Sequence, residues 1–247
     1  MGQMINLGVK DQSEPLEVYE VKPEGTVKGG LIVIEEVWGL TDHIKSIADR
    51  FAAEGYWVVS PELLSETHIK EHAGTLMLDL FNPEKRNAAQ PKLRELMAPM
   101  REPEFGAKTL QRVQACFDYL YAKPETEERV AVTGFCFGGS YSFALALAEP
   151  RLKAAVPFYG HINLENPEAL KRVMCPVLAF YGEKDEGLMG SLPEVEEAFK
   201  AAGVNFTAKV YPDCGHAFFN DTNPFAYNEV ATKDSWKRTL ELLAANR

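Results

Sequence analysis

Basic residues are outnumbered in this chain. Lys and Arg total 26 against 36 Asp and Glu, a formal charge of −10 over 247 residues. A general nucleic-acid binder would present a basic face, so that class is excluded. The same charge slows the approach of anions unless a local cationic patch lines the site. No long uncharged apolar run stands out as a membrane span. The opening residues Met1-Gly2-Gln3-Met4-Ile5-Asn6 have neither the basic nor the apolar part of a signal peptide. Asn6 also stands where N-myristoylation needs Ser or Thr. A cytoplasmic protein without nucleic-acid or membrane partners is the expectation. Cysteine is scarce, and Cys116, Cys136, Cys175 and Cys214 form no Cys-x-x-Cys pair; without a secretion signal they read as reduced thiols. The five histidines supply no His-x-x-x-His and no Cys/His cluster of zinc spacing, so neither a metal nor another cofactor is expected. Repeats and low-complexity linkers are missing too. The length suits a single domain spanning 1–247.

What is present is an alternation of apolar runs and helical patterns. Leu16 to Val21 alternates, as a half-exposed strand does, and Gly30 to Ile34 is continuously apolar, as a strand buried on both faces is. Asp42 reads as the cap of a helix carrying Ile44, Ile47, Ala48 and Phe51, followed by a strand from Tyr56 to Val59. Residues 62–102, with Pro83, Pro91 and Pro99, read as an irregular stretch roofing a site. Pro103 opens a long helix. Strands at Arg129–Val132, Ala154–Tyr159, Val177–Tyr181 and Phe206–Tyr211 then alternate with helices at Tyr141–Glu149, Pro167–Arg172, Leu192–Ala202 and Pro224–Ala245. This pattern predicts an α/β fold, a doubly wound, mostly parallel sheet with helices on both faces. Ligands of such sheets sit beyond the carboxyl ends of the strands.

At one such end stands Gly134-Phe135-Cys136-Phe137-Gly138. Gly-x-Cys-x-Gly between a strand and a helix has the spacing of a nucleophile elbow, a turn that lifts its central side chain above the sheet. It is also compatible with a packed turn holding an inert thiol. A cysteine nucleophile needs a base, and the base needs an acid to orient it. Asp185 follows the strand ending at Tyr181, and His216 follows the strand ending at Tyr211. The order Cys136, Asp185, His216 is that of nucleophile, acid and base in α/β-hydrolases. His161 is a rival base, although it precedes the acid. Glu35 and Glu36 read alike as loop carboxylates.

The elbow, the loop Gly182-Glu183-Lys184-Asp185, the segment Cys214-Gly215-His216-Ala217-Phe218 and the early loop Ile34-Glu35-Glu36-Val37-Trp38-Gly39 together resemble the dienelactone hydrolases (carboxymethylenebutenolidases), which open dienelactone to maleylacetate. The resemblance implies an α/β-hydrolase fold and a cofactor-free hydrolase of lactones or carboxylic esters. In it Cys136 is the nucleophile, His216 the base and Asp185 its acid. It singles out Glu36 as the carboxylate that contacts the resting thiol and helps to form the thiolate when substrate binds. The backbone N–H groups of Phe137 and Val37 would form the oxyanion hole. Two arginines hold the substrate carboxylate in the dienelactone-specific members. Arg86 matches one, but Asn220 occupies the place of the other, which opens the alternative of uncharged esters or other lactones. Trp38 and Phe218, with Tyr159 and Phe219, are candidates for a more apolar lining. From other classes, a thiol redox protein and a non-catalytic binding protein on a hydrolase fold remain as readings.

Overall fold

The computed structural model describes residues 2–246. Eight strands form one sheet, β1 (Gln3–Leu7), β2 (Leu16–Val21), β3 (Gly29–Ile34), β4 (Tyr56–Pro61), β5 (Val130–Phe135), β6 (Ala155–Phe158), β7 (Val177–Gly182) and β8 (Phe206–Tyr211). Their order is β1-β2-β4-β3-β5-β6-β7-β8. Only β2 runs against its neighbours; every other pairing is parallel.

Period-two alternation in β3 builds a core on each face. Leu31 and Val33 pack with Ile44 and Phe51 of α1 (Asp42–Ala53) and Leu243 of α7 (Glu229–Ala245). Ile32 and Ile34 pack with Val113 and Phe117 of α4 (Pro103–Tyr121) and Phe143 of α5 (Phe137–Ala148). The sheet reverses its winding at β3, since β4 lies on one side and β5 on the other. The crevice beyond the ends of β3 and β5 is where such folds bind ligands. Glu36 and Cys136 leave the sheet there. Among the described residues no helix is long and apolar enough to cross a membrane.

Several expectations change. Residues 62–102 are largely helical rather than irregular: α2 (Ala73–Phe81) and α3 (Arg86–Leu96) are flanked by short 3-10 turns before α2 and after α3. Pro91 sits inside α3, where it removes one helical hydrogen bond without ending the helix. The segment has a small core of its own, in which Leu64, Ile69, Leu76, Met77 and Leu96 close over Trp38. β1 is an additional strand, and because β2 lies between it and β4, β2 is mostly buried rather than half-exposed. The cap before α1 is Thr41, with Asp42 in the first turn. α6 (Glu186–Ala202) begins six residues before Leu192 and carries Pro193 inside it. α7 begins at Glu229 rather than Pro224 because the Asn228 side chain caps it, accepting from the Ala231 N–H at 3.0 Å.

Candidate active site

β5 delivers Cys136 through a turn that leaves no room for side chains beside it. A Cβ on Gly134 would strike the Gly138 carbonyl, and one on Gly138 would strike the carbonyls of Ile34 and Glu35. Cys136 itself has φ 56° and ψ −108°, a conformation that non-glycine residues seldom adopt. Two bonds hold it there. The Cys136 N–H donates to the Phe158 carbonyl and the Gly138 N–H to the Glu35 carbonyl, both at 3.0 Å. The turn is thus pinned to β6 on one side and to the loop after β3 on the other. Phe137 opens α5, so its N–H has no partner within the helix.

Asp185 and His216 meet because the loops after β7 and β8 touch backbone to backbone. A Cβ on Gly182 would reach the carbonyls of Cys214 and Gly215, and the Lys184 N–H donates to the Cys214 carbonyl at 2.8 Å. The result is a short contact of 2.5 Å between His216 Nδ1 and Asp185 Oδ2. On its other side His216 hydrogen-bonds the Cys136 sulfur. Burial disfavours the imidazolium, but the Cys136 and Asp185 charges outweigh it and pull His216 well above its ordinary value. His216 thus stands between the carboxylate that orients it and the Cys136 sulfur.

Glu36 is buried next to these groups. Its Oε1 accepts from the Tyr159 hydroxyl at 3.2 Å, and its Oε2 from the Asn220 amide at 2.6 Å. Burial raises its affinity for a proton; His43, Asn220, His216 and Tyr159 act the other way. The carboxyl group therefore engages Tyr159 and Asn220 here, while the thiol engages His216, which differs from the Glu36–thiol contact that the resemblance implies. Glu35, which sequence could not distinguish, faces away. Fully buried, it accepts from the Leu63 N–H at 2.9 Å and ties the loop to the start of the roof. Burial and the neighbouring Glu62 push it well above the ordinary carboxylate range.

A cavity of about 900 Å³ opens over the sulfur. Glu36, Val37, Trp38, Arg86, Cys136, Asp185 and His216 all line it, as expected. Leu80 and Phe81 of α2 and Leu93 of α3 add an apolar wall, while Gln90 and Arg94 join Arg86 on one stripe of α3. The proline-rich sequence hid that stripe, since its i, i+4, i+8 spacing is visible only once α3 is known to be a helix. Two expected lining residues lie elsewhere. Phe218 is fully buried against Phe158, Tyr159 and Tyr211, so it is core. Asn220 is buried under Glu36 and serves that carboxyl group. Tyr159 and Phe219 are likewise buried rather than lining. His161 is exposed and apart from the cavity, its N–H bonded to Ser140. Cys116 and Cys175 are buried, and burial pushes Cys175 up to about 12.

The order and geometry of these groups bear directly on kinship. The dienelactone hydrolase family model matches residues 16–246. The chain belongs to the dienelactone hydrolase family. A provisionally named carboxymethylenebutenolidase of Saccharolobus solfataricus is 31% identical over 246 residues, covering 92% of this chain and 93% of the relative. Its counterpart in Escherichia coli is 28% identical, covering 94% and 83%. Among solved structures, a provisionally named dienelactone hydrolase of Klebsiella pneumoniae is 25% identical and superimposes with a TM-score of 0.80 over 99% of both chains. The α/β sheet with helices on both faces is therefore the fold of this dienelactone hydrolase family member, and hydrolysis is the chemistry of its family.

Proposed function

We propose that this family member hydrolyses lactones or carboxylic esters through a covalent acyl-enzyme on Cys136. The observation that carries the reading is His216 bridging Asp185 and the Cys136 sulfur at the floor of one cavity. The thiolate adds to the ester carbonyl, and the carbonyl oxygen takes the negative charge. Its donors in this reading are the backbone N–H groups of Phe137, directly after Cys136, and of Val37, in the loop after β3, as the family resemblance implies. Collapse expels the alkoxide, which takes the proton from the His216 imidazolium. Imidazole then removes a proton from water as the hydroxide adds to the thioester carbonyl; the C–S bond breaks, the acid is released, and the Cys136 thiolate is left beside the His216 imidazolium as at the start. For a lactone the alkoxide stays tethered, so the product is a single hydroxy acid. Asp185 holds Nδ1 and stabilises the imidazolium.

The lining supports a substrate with an apolar body against Trp38, Leu80 and Phe81 and a negative group against α3. Arg86 makes no ion pair among the described residues, and Arg94 bonds only Gln90, at 3.3 Å. Both therefore remain available to an anion. This gives a carboxylate a docking point even though Asn220 stands where the second family arginine would. The test is trapping: a slowly deacylated aryl ester should leave its acyl group on the peptide containing Cys136. Turnover with label found on another residue rejects the reading.

A further inference from the structure

The side-chain amide of Asn220 has all four of its hydrogen-bonding places filled. The Thr222 N–H, 3.0 Å away, can only donate, so the atom facing it is Oδ1. The Thr222 hydroxyl donates to the same oxygen at 2.7 Å. That fixes Nδ2 on the opposite side. There it donates to Glu36 Oε2 at 2.6 Å and to the Met77 sulfur at 3.7 Å. Asn220 is 2% exposed. With two donors on its oxygen and two acceptors on its nitrogen, it has no place left for a substrate group.

The two acceptors belong to different parts of the site. Glu36 stands in the loop after β3 and lines the cavity with Cys136. Met77 lies on α2 in the roof, buried among Leu76, Leu96 and Trp38. Leu80 and Phe81, three and four residues further along α2, line the cavity, and that spacing puts them on the same side of the helix as Met77. Tyr159 holds the other oxygen of Glu36, but its ring packs on His216, with 5.0 Å between centroids, and on Phe218 beneath. The two donors to one carboxyl group thus lead to different places.

We propose that Asn220 is a positioning residue that ties the roof to the Glu36 loop. One amide group sets the Glu36 carboxyl group in the cavity and seats α2, with its Leu80 and Phe81 wall, above it. Asn220 makes no bond to substrate and transfers no proton. Its effect on turnover rests on the reading of Cys136 as nucleophile; the tie itself does not.

Urea unfolding of the protein, Asn220→Leu, Glu36→Leu and the double variant measures the first arm. Each single change leaves the other partner buried without its bond, and the double change removes both. The combined cost should therefore fall short of additivity by about tenfold in the folding constant. Amide hydrogen exchange measures the second arm. Exchange in α2 should speed up about threefold in Asn220→Leu, whereas Tyr159→Phe, which removes the other donor to Glu36, should leave it unchanged. Kinetics on a neutral aryl ester separates the arms. In both variants kcat should fall about tenfold, because the carboxyl group is no longer held in one place. KM should rise about fivefold in Asn220→Leu alone. Met77→Leu, a milder change that keeps the roof apolar, should reproduce the faster α2 exchange and the higher KM without the fall in kcat. Additive folding costs overturn the proposal, as do unchanged α2 exchange in Asn220→Leu and KM values that move together in Asn220→Leu and Tyr159→Phe. Turnover by Cys136→Ala would instead remove the nucleophile reading, with the folding cycle and the exchange rates still deciding the role of Asn220.

Discussion

His216 Nδ1 and Asp185 Oδ2 lie 2.5 Å apart, although 31 residues separate them in the chain. The contact depends on two loops meeting at Gly182 and Gly215, and it fixes which imidazole nitrogen faces the Cys136 sulfur. Asp185→Asn keeps the shape but offers an amide that can present N–H to N–H. Turnover of a small ester should fall on the order of 10⁴-fold while KM stays near its original value. Steady-state kinetics checks this, and a drop of less than tenfold contradicts the assigned role.

The elbow permits no Cβ at Gly138. Gly138→Ala drives a methyl group into the carbonyls of Ile34 and Glu35, which are backbone atoms held in β3 and its loop. Displacing them costs roughly 1–3 kcal/mol. A lower urea midpoint, together with loss of Cys136 alkylation, is the expected pair of results.

Arg86 and Arg94 divide substrates by charge. Replacing either with Ala should raise KM for a carboxylate-bearing ester about five- to tenfold, the range of a solvent-exposed charge-assisted contact. A neutral ester of the same size should bind as before. Equal effects on both esters would mean that the arginines shape the cavity rather than read charge.

Glu35 links folding to pH. Its carboxyl group is raised well above the ordinary range by burial and by Glu62, so in the folded state it holds its proton to higher pH than in the unfolded chain. Between the two values the folded state binds more protons, and stability falls as pH rises. Each unit of difference is worth about 1.4 kcal/mol. Glu35→Gln removes the titration and retains an oxygen for the Leu63 N–H. Urea midpoints should therefore fall less steeply from pH 5 to pH 8 in the variant than in the parent, with the variant gaining most at the alkaline end.

The elbow, the alternation of strands and helices around it and the placing of Asp185 and His216 on loops at strand ends were legible because each depends on local rules: glycine spacing, buried β-branched runs, and loops at strand ends. Glu36 needed the family resemblance to stand apart from Glu35, since direction out of a loop is a tertiary property. Phe218 and Asn220 follow His216 closely in sequence, yet Ala217 adopts φ 62° and turns the chain inward. Both side chains are consequently buried. The roof was hidden by prolines: Pro83 and Pro99 lie in its turns, but Pro91 is absorbed within α3, and no local rule distinguishes the two cases. His43 carried no signal at all, because its partner Asp221 comes from a distant segment.

The most direct test of the central claim is kcat/KM of Cys136→Ala on a small aryl ester. The account predicts turnover indistinguishable from the uncatalysed reaction, in a protein whose circular dichroism and urea midpoint match the parent. Substantial turnover by that folded variant would contradict it.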